Sequence, residues 1–206
     1  MLANCMETAV GEARKRLDDV APEKIRLLLE LICRLGGEEA VAVLRELLDH
    51  PNRLVAKEVF AALLARRDHW AMDSLRQFLG ADDWESKRGA IHLAGQCRLR
   101  EFVPELVAML EPPGLFRTNL RKNVPLIKAL GQIGDPAALP ALEKIVRRSF
   151  SLFPKDLRQL KKTVFESIGH YPAASLATLI AMGEKAQDKT IRVACQRVAL
   201  HSLRQT

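Results

Sequence analysis

The stretch NVPLIKALGQIGDPAALPALEKIV, residues 123–146, decides the fold. Its apolar residues recur at spacings of three and four, which place them on one face of each of two amphipathic helices. Gly131 and Gly134 fall where the first helix must stop, because glycine takes the left-handed conformation without strain. Asp135 and Pro136 then predict an N-cap and a first-turn proline for the second helix. A turn this short makes the two helices antiparallel.

The same two-helix pattern recurs along the chain at nearly constant spacing. One column of apolar residues, in the second helix of each pair, consists of Leu44, Leu75, Leu106 and Leu142, with steps of 31, 31 and 36. Twelve residues earlier, a column in the first helix consists of Ile32, Leu63, Ala94 and Leu130. One pair cannot bury both of its faces, so successive pairs are expected to stack. The sequence therefore predicts an all-α fold: a right-handed α-solenoid of about five antiparallel helix pairs plus terminal helices.

These elements predict a single domain over residues 1–206. It contains an N-terminal capping helix over 1–20, helix-pair repeats over 22–186 and a C-terminal helix over 188–206. The last helix has one apolar stripe and, on roughly the opposite face, Val193 and Leu200. It looks like the first helix of a pair. Either it is the cap of the stack, or the natural protein is longer and continues there, or it dimerises there.

Residues 123–146 resemble the bacterial HEAT repeat, of the kind also called PBS-lyase HEAT-like, and residues 87–110 look like a weaker copy. The resemblance covers about residues 22–186. It implies a scaffold, an adaptor or, in a few relatives, an enzyme, so it is specific for fold and not for function. We expect a non-catalytic protein–protein interaction or scaffold module. The alternative is a nucleic-acid-binding HEAT protein of the DNA glycosylase kind.

Enzymatic relatives of this fold provide patterns that can be compared with the chain. HEAT-like di-iron enzymes carry repeated His-Glu dipeptides, and the sequence contains none. HEAT-like glycosylases place aromatic residues and an acid on a concave face; Trp70, Trp84, Asp82 and Asp83 are of those types but are predicted at helix starts. Phycobilin lyases share the repeat, yet nothing else indicates a bilin site. We therefore expect no metal and no cofactor, and the sequence favours a protein that is not an enzyme.

The compartment is predicted from the cysteines and the N-terminus. Cys5, Cys33, Cys97 and Cys195 are far apart and sit among apolar residues, which is typical of reduced, buried thiols. The first residues lack the apolar core of a signal peptide. No stretch approaches the ~20 apolar residues that a membrane span needs. We expect a cytoplasmic protein with no membrane partner.

The net charge of +7 is unevenly distributed along the chain. Residues 1–100 hold 16 basic and 16 acidic residues, whereas residues 101–206 hold 16 and 9. Within residues 117–162, eleven basic residues outnumber three acidic ones, a balance of +8. Two longer connections accompany this segment: residues 111–119 at its start and residues 148–156 within it. Loops at equivalent positions of a repeat emerge on the same edge, so we expect these two to be neighbours.

This basic and aromatic edge is the predicted binding surface. Its partner is expected to be acidic, an acidic protein segment, nucleic acid or a phosphorylated peptide, because arginine-rich surfaces suit carboxylates and phosphates. A protein segment is favoured over nucleic acid, since few aromatic residues are interleaved for base stacking. The alternative is that Leu115, Phe116, Phe150, Leu152 and Phe153 fold back and cover the groove between repeats. The predicted partner-binding residues are Arg117, Arg121, Lys122, Arg147, Arg148, Phe150, Phe153, Lys155, Arg158, Lys161 and Lys162.

Overall fold

The computed structural model describes residues 27, 29–30, 32, 38–111 and 119–203. Within that part of the chain there are ten α-helices and no strand, so the predicted all-α solenoid class is confirmed. The predicted capping helix over 1–20 lies outside the described residues. The helices are α1 (Glu38–Glu46), α2 (Arg53–Ala65), α3 (His69–Gly80), α4 (Trp84–Gln96), α5 (Val103–Ala108), α6 (Leu120–Ile133), α7 (Leu139–Arg147), α8 (Pro154–Ser167), α9 (Ala177–Glu184) and α10 (Lys189–Leu203).

The chain divides into two compact units, residues 1–77 and 78–206. In the first unit, polar side chains define where the helices begin. Asn52 caps α2 by accepting a hydrogen bond from the Leu54 N–H at 3.0 Å. Asp68 does the same at the start of α3, accepting from the Ala71 N–H at 3.1 Å. The other carboxylate oxygen of Asp68 pairs with Arg45 of α1 at 2.7 Å, which links two helices of this unit.

In the second unit the helices form two layers. The first helices of successive pairs, α4, α6, α8 and α10, contact one another in that order. The second helices form the other layer, in which α7 contacts α9, and α5 contacts the 3-10 turn that leads into α7. This arrangement is the stack of antiparallel pairs that the repeat predicts. The single-domain boundaries predicted from the sequence stay a prediction.

Both apolar columns of the repeat lie in the core. The eight column residues are all 0% exposed: Ile32, Leu44, Leu63, Leu75, Ala94, Leu106, Leu130 and Leu142. The predicted stripe of α10 is buried as well, with Cys195 at 0% and Ile191 at 5% exposure. Val193 and Leu200, on the other face of α10, are 37% and 62% exposed.

A left-handed residue follows three of the first helices, α2, α4 and α6, whereas α8 continues into a 3-10 turn over Ile168–His170. These residues are Arg67 (φ 59°), Arg98 (φ 50°) and Gly134 (φ 69°). Their spacings, 98 − 67 = 31 and 134 − 98 = 36, reproduce the spacing of the leucine column. At Arg98 the backbone makes the paired bonds of a Schellman turn, Arg98 N–H to Gly95 C=O and Leu99 N–H to Ala94 C=O, both 3.0 Å. The repeat spacing is therefore seen in the backbone conformation as well as in the buried side chains.

Tyr171, the single tyrosine, joins two successive first helices in the second unit. Its ring is 1% exposed, and its hydroxyl donates a 3.0 Å hydrogen bond to the carbonyl oxygen of Leu130 near the end of α6. Burial raises the pKa of this phenol, and the nearby Asp135 carboxylate adds to the effect. The folded state therefore holds the phenol proton more tightly than the unfolded chain does.

This difference predicts how stability depends on pH. Because the pKa of Tyr171 is higher in the folded state than its ordinary value of 10.0, its contribution is fully present below pH 10 and is lost as the pH rises further. We expect no phenolate absorbance until the chain unfolds, whereas the chain in denaturant titrates near pH 10. Tyr171→Phe should lower the free energy of unfolding by about 1 kcal/mol. A normal phenol titration with an unchanged far-ultraviolet spectrum would contradict this account.

Candidate partner-binding edge

The connection between α7 and α8, residues 148–153, is held by its own polar groups. Arg148 Nε donates to the Phe150 carbonyl oxygen at 3.0 Å. The buried Ser151 hydroxyl accepts from the Phe153 N–H at 3.1 Å. Pro154 then starts α8 with a φ angle already suited to a helix. The loop thus satisfies its backbone locally and leaves its large side chains available.

Those side chains face solvent. Phe150, Leu152 and Phe153 are 62%, 53% and 47% exposed. These exposures show that the three side chains are not buried in the core, while Phe150 also lines a groove between α8 and α10. That this edge engages a partner, rather than covering the groove between repeats, stays a prediction. Leu115, Phe116 and Arg117 of the other connection lie outside the described residues. Exposed aromatic and aliphatic groups held side by side are unusual on a polar surface and are typical of binding sites.

A groove of about 680 Å³ lies behind this loop. The loop forms one wall through Ser149, Phe150 and Ser151, and the turn Ala186–Asp188 before α10 forms the other. Leu157, Arg158 and Lys161 of α8, together with Ile191 of α10, make the floor. The groove therefore combines an apolar surface with two cations of the predicted set.

An ion pair and several hydrogen bonds hold the turn Ala186–Asp188, which forms the far wall of the groove. Arg158 pairs with Asp188 at 2.5 Å across the floor of the groove. The Asp188 carboxylate also accepts from the Thr190 hydroxyl and N–H, and the hydroxyl contact is the main reason that the pKa of Asp188 lies below its ordinary value. Arg192 donates to the carbonyl oxygens of Ala186 and Gln187 at 2.7 and 2.9 Å. These contacts fix the wall opposite Phe150.

Lys161 differs from its neighbours on α8. Its side chain is half-buried in the groove, and burial lowers the pKa of its ammonium group. No carboxylate lies within 4.0 Å of its Nζ among the residues that the structure describes. The adjacent Lys162 contacts Glu166 at 3.5 Å, and Arg158 contacts Asp188. Lys161 is thus a partly desolvated cation without a carboxylate partner in the described ranges.

Several of the other predicted cations form ion pairs, so fewer positive charges are available than the count along the sequence suggests. Arg121 pairs with Glu85 at 3.5 Å and Lys122 with Glu111 at 2.8 Å, at the start of α6. Arg147 pairs with Glu143 at 3.0 Å along α7, and Lys155 is exposed at the start of α8. Acids from outside residues 117–162 therefore offset part of the +8 balance. Of the predicted set, the structure brings Phe150, Arg158 and Lys161 together in one groove.

Two of the four residues considered for base chemistry, Asp83 and Trp70, make structural contacts. Asp83 caps α4, accepting from the Glu85 and Ser86 N–H groups at 2.9 and 3.0 Å; the pKa of its carboxyl is lowered, mainly by the Ser86 side chain. Trp84 is the first residue of α4. In the first unit, the Trp70 ring meets the Phe60 ring edge to face, with centroids 6.1 Å apart. These contacts account for Asp83 and Trp70 through helix capping and packing.

The described residues include neither a metal-binding cluster nor a membrane-spanning helix. No three His, Cys, Asp or Glu side chains there are grouped so that they could hold a metal ion. In the same part of the chain, every helix is too short or too polar to cross a membrane.

Comparison with known proteins identifies the repeat. A family model described as HEAT repeats matches residues 12–93 and, in a second overlapping match, residues 72–152. Together the two matches span 141 of the 206 residues, from 12 to 152. No match was found among the curated proteins. The matched range includes the first part of the edge, and the groove at residues 149–191 lies almost wholly beyond it.

Proposed function

Because the chain belongs to the HEAT repeat family, whose repeats generally mediate protein–protein interaction or scaffolding, we propose that it is a non-catalytic protein-binding module whose basic edge binds an acidic segment of a partner. Within the basic and aromatic edge predicted over residues 111–162, the contact site proposed here is the loop 148–153 and the groove behind it. The partner proposed here is a protein, and the residues proposed to contact it are those that the structure groups at this edge.

The observation that carries the proposal is the exposure of Phe150, Leu152 and Phe153 beside cations. Apolar side chains of this size normally lie inside a fold, and burying one against a partner contributes about 1.5–3 kcal/mol. Lys155 and Lys161, next to them on α8, have no carboxylate partner within the described ranges. An acidic segment with apolar residues would satisfy both features at once.

A protein segment suits this edge better than nucleic acid. Nucleic-acid surfaces track a line of phosphates with many available cations, and affinity grows with the number of phosphates neutralised. Here Arg121, Lys122 and Arg147 already contact carboxylates, and inside the groove Arg158 already pairs with Asp188. Two phenylalanines on one loop are also few for stacking successive bases.

Fluorescence anisotropy with short labelled peptides tests the proposal. Acidic peptides that contain apolar residues are expected to bind, and basic peptides of matched length are expected not to bind. Phe150→Ala should weaken binding about tenfold, because it removes an exposed aromatic anchor at the centre of the edge. Leu200→Ala is the matched control: Leu200 is also 62% exposed, but it lies on α10 away from the loop. This control should leave binding unchanged.

Two outcomes would overturn the proposal. One is a failure of all acidic peptides to bind at low salt. The other is tighter binding of single-stranded or duplex oligonucleotides, with a steep loss of affinity between low and moderate salt, which would identify the nucleic-acid alternative.

A further inference from the structure

The groove behind the loop 148–153 is large enough to hold side chains of a bound peptide. Its volume of about 680 Å³ falls within the 300–1,000 Å³ typical of ligand pockets. Phe150, Leu157 and Ile191 supply an apolar surface, and Leu157 and Ile191 are themselves anchored in the core at 6% and 5% exposure. A ligand side chain placed there would meet a fixed surface rather than a mobile one.

Within the described part of the chain, the groove contains two cations, Arg158 and Lys161, but only one carboxylate, that of Asp188. Arg158 and Asp188 form a pair, so they contribute no net charge, and Lys161 remains as the excess cation. Lys161 has exchanged part of its water shell for protein atoms without gaining a carboxylate within the described residues. A carboxylate brought by a ligand would form a charge-assisted hydrogen bond in surroundings where water competes less than at an open surface.

We propose that the groove recognises an acidic peptide at two points: a carboxylate side chain of the peptide pairs with Lys161, and a bulky apolar side chain packs against Phe150 and Leu157. This inference rests on the proposed function and makes it specific. The ligand is a peptide in which an Asp or Glu lies close to a Leu, Ile or Phe. A uniformly acidic tract satisfies only the first contact, because it has no bulky apolar side chain to pack against Phe150 and Leu157, and the described residues of the groove hold only one excess cation.

A double-mutant cycle between peptide and protein separates the two contacts. Four peptides share one acidic frame and differ at two positions, which hold Glu or Gln and Leu or Ser. Lys161→Met keeps the aliphatic stem and removes the charge, and it should weaken the Glu–Leu peptide about tenfold while leaving the Gln–Leu peptide unchanged. Phe150→Ala should weaken the Leu peptides and not the Ser peptides. Lys144→Met, on α7 outside the groove, removes the same charge and should change nothing.

The state of Lys161 provides a second readout. Burial lowers the pKa of its ammonium in the free protein, and a bound carboxylate favours the charged form, so binding should raise this pKa. Nuclear magnetic resonance titration of the lysine side-chain carbons, with and without the Glu–Leu peptide, measures the change.

The outcomes distinguish this inference from the broader proposal. If Lys161→Met weakens the Glu and Gln peptides equally, or the pKa of Lys161 does not rise, the two-point inference is wrong while acidic-peptide binding stands. If none of the four peptides binds the unmodified protein, the proposed function itself fails. Thermal unfolding of each variant shows whether a lost affinity reflects a lost fold.

Discussion

Replacing Gly131 by alanine is expected to lower the free energy of unfolding by about 1–3 kcal/mol. Gly131 lies in α6 where that helix crosses α8, and a β-carbon added there would meet Ser167. It would overlap the Ser167 carbonyl oxygen and lie 2.9 Å from the carbonyl carbon and 2.5 Å from the serine β-carbon. Because two of these atoms are backbone, no rotamer change relieves the overlap, and the two helices must move apart.

A second glycine serves as the matched control. Gly89 lies in the middle of α4, and a β-carbon there has nothing within 4 Å. Gly89→Ala should therefore stabilise the protein by about 0.5–1 kcal/mol, since alanine loses less conformational freedom on forming a helix. The same substitution is thus expected to have opposite signs at two helical glycines, depending only on what faces them.

Urea unfolding followed by Trp84 fluorescence measures both changes. Trp84 belongs to the second unit, and a Trp70→Phe background removes the signal of the first. The slope with denaturant should stay constant, so that a shift in midpoint reports stability alone. Equal stability of the Gly131→Ala and Gly89→Ala proteins would show that the α6–α8 crossing is not as close as the structure gives it.

The core could be predicted from the sequence, because burial leaves a periodic record. Ile32 belongs to the first repeat of the columns and Leu142 to the last, and both are fully buried, as their columns predict. Helix ends were predicted less completely. Gly134 takes the left-handed conformation expected of it, but Arg67 and Arg98 occupy the same place in other repeats without any glycine to mark them. There the Schellman bonds outweigh the strain of a side chain at positive φ.

Gly131 shows a different limit. The sequence places it with Gly134 as a stop signal, whereas it lies within α6 and allows the close approach of Ser167. A helix-interior glycine and a helix-ending glycine look the same in a sequence, because the difference depends on the neighbouring helix. Only the stacking of α6 against α8 assigns the role.

The candidate site could be predicted only in part, because some of its residues come from a neighbouring helix pair. Local sequence shows a loop with exposed-type aromatics and a run of cations, and the structure places Phe150, Arg158 and Lys161 together. The local sequence does not show that Asp188 forms the opposite wall, because the stacking of α8 on α10 brings the two walls together. Likewise Glu85 reaches Arg121 from 36 residues away. Summing charges along a segment misses such partners, which lie one repeat apart.

Replacing Asn123 by leucine is expected to cost about 2 kcal/mol of stability. Asn123 is 0% exposed in the first turns of α6, where its side chain makes both hydrogen bonds of a main-chain peptide to one residue, Glu111. Its Oδ1 accepts from the Glu111 N–H at 3.0 Å, and its Nδ2 donates to the Glu111 carbonyl oxygen at 2.7 Å. Leucine has a similar volume but can form neither of these two hydrogen bonds.

The contribution of the Asn123 clamp can be measured separately from that of the Glu111 side chain. The Glu111 carboxylate receives hydrogen bonds from Asn119 at 3.1 Å and Lys122 at 2.8 Å, and both contacts are near the surface. Glu111→Ala removes them and keeps the main-chain clamp, so it should cost less than about 1 kcal/mol. If Glu111→Ala costs as much as Asn123→Leu in urea unfolding, the side-chain contacts hold this end of α6 and the clamp does not. If the clamp dominates, a buried asparagine holds residue 111 against the start of α6, which no apolar periodicity could have indicated.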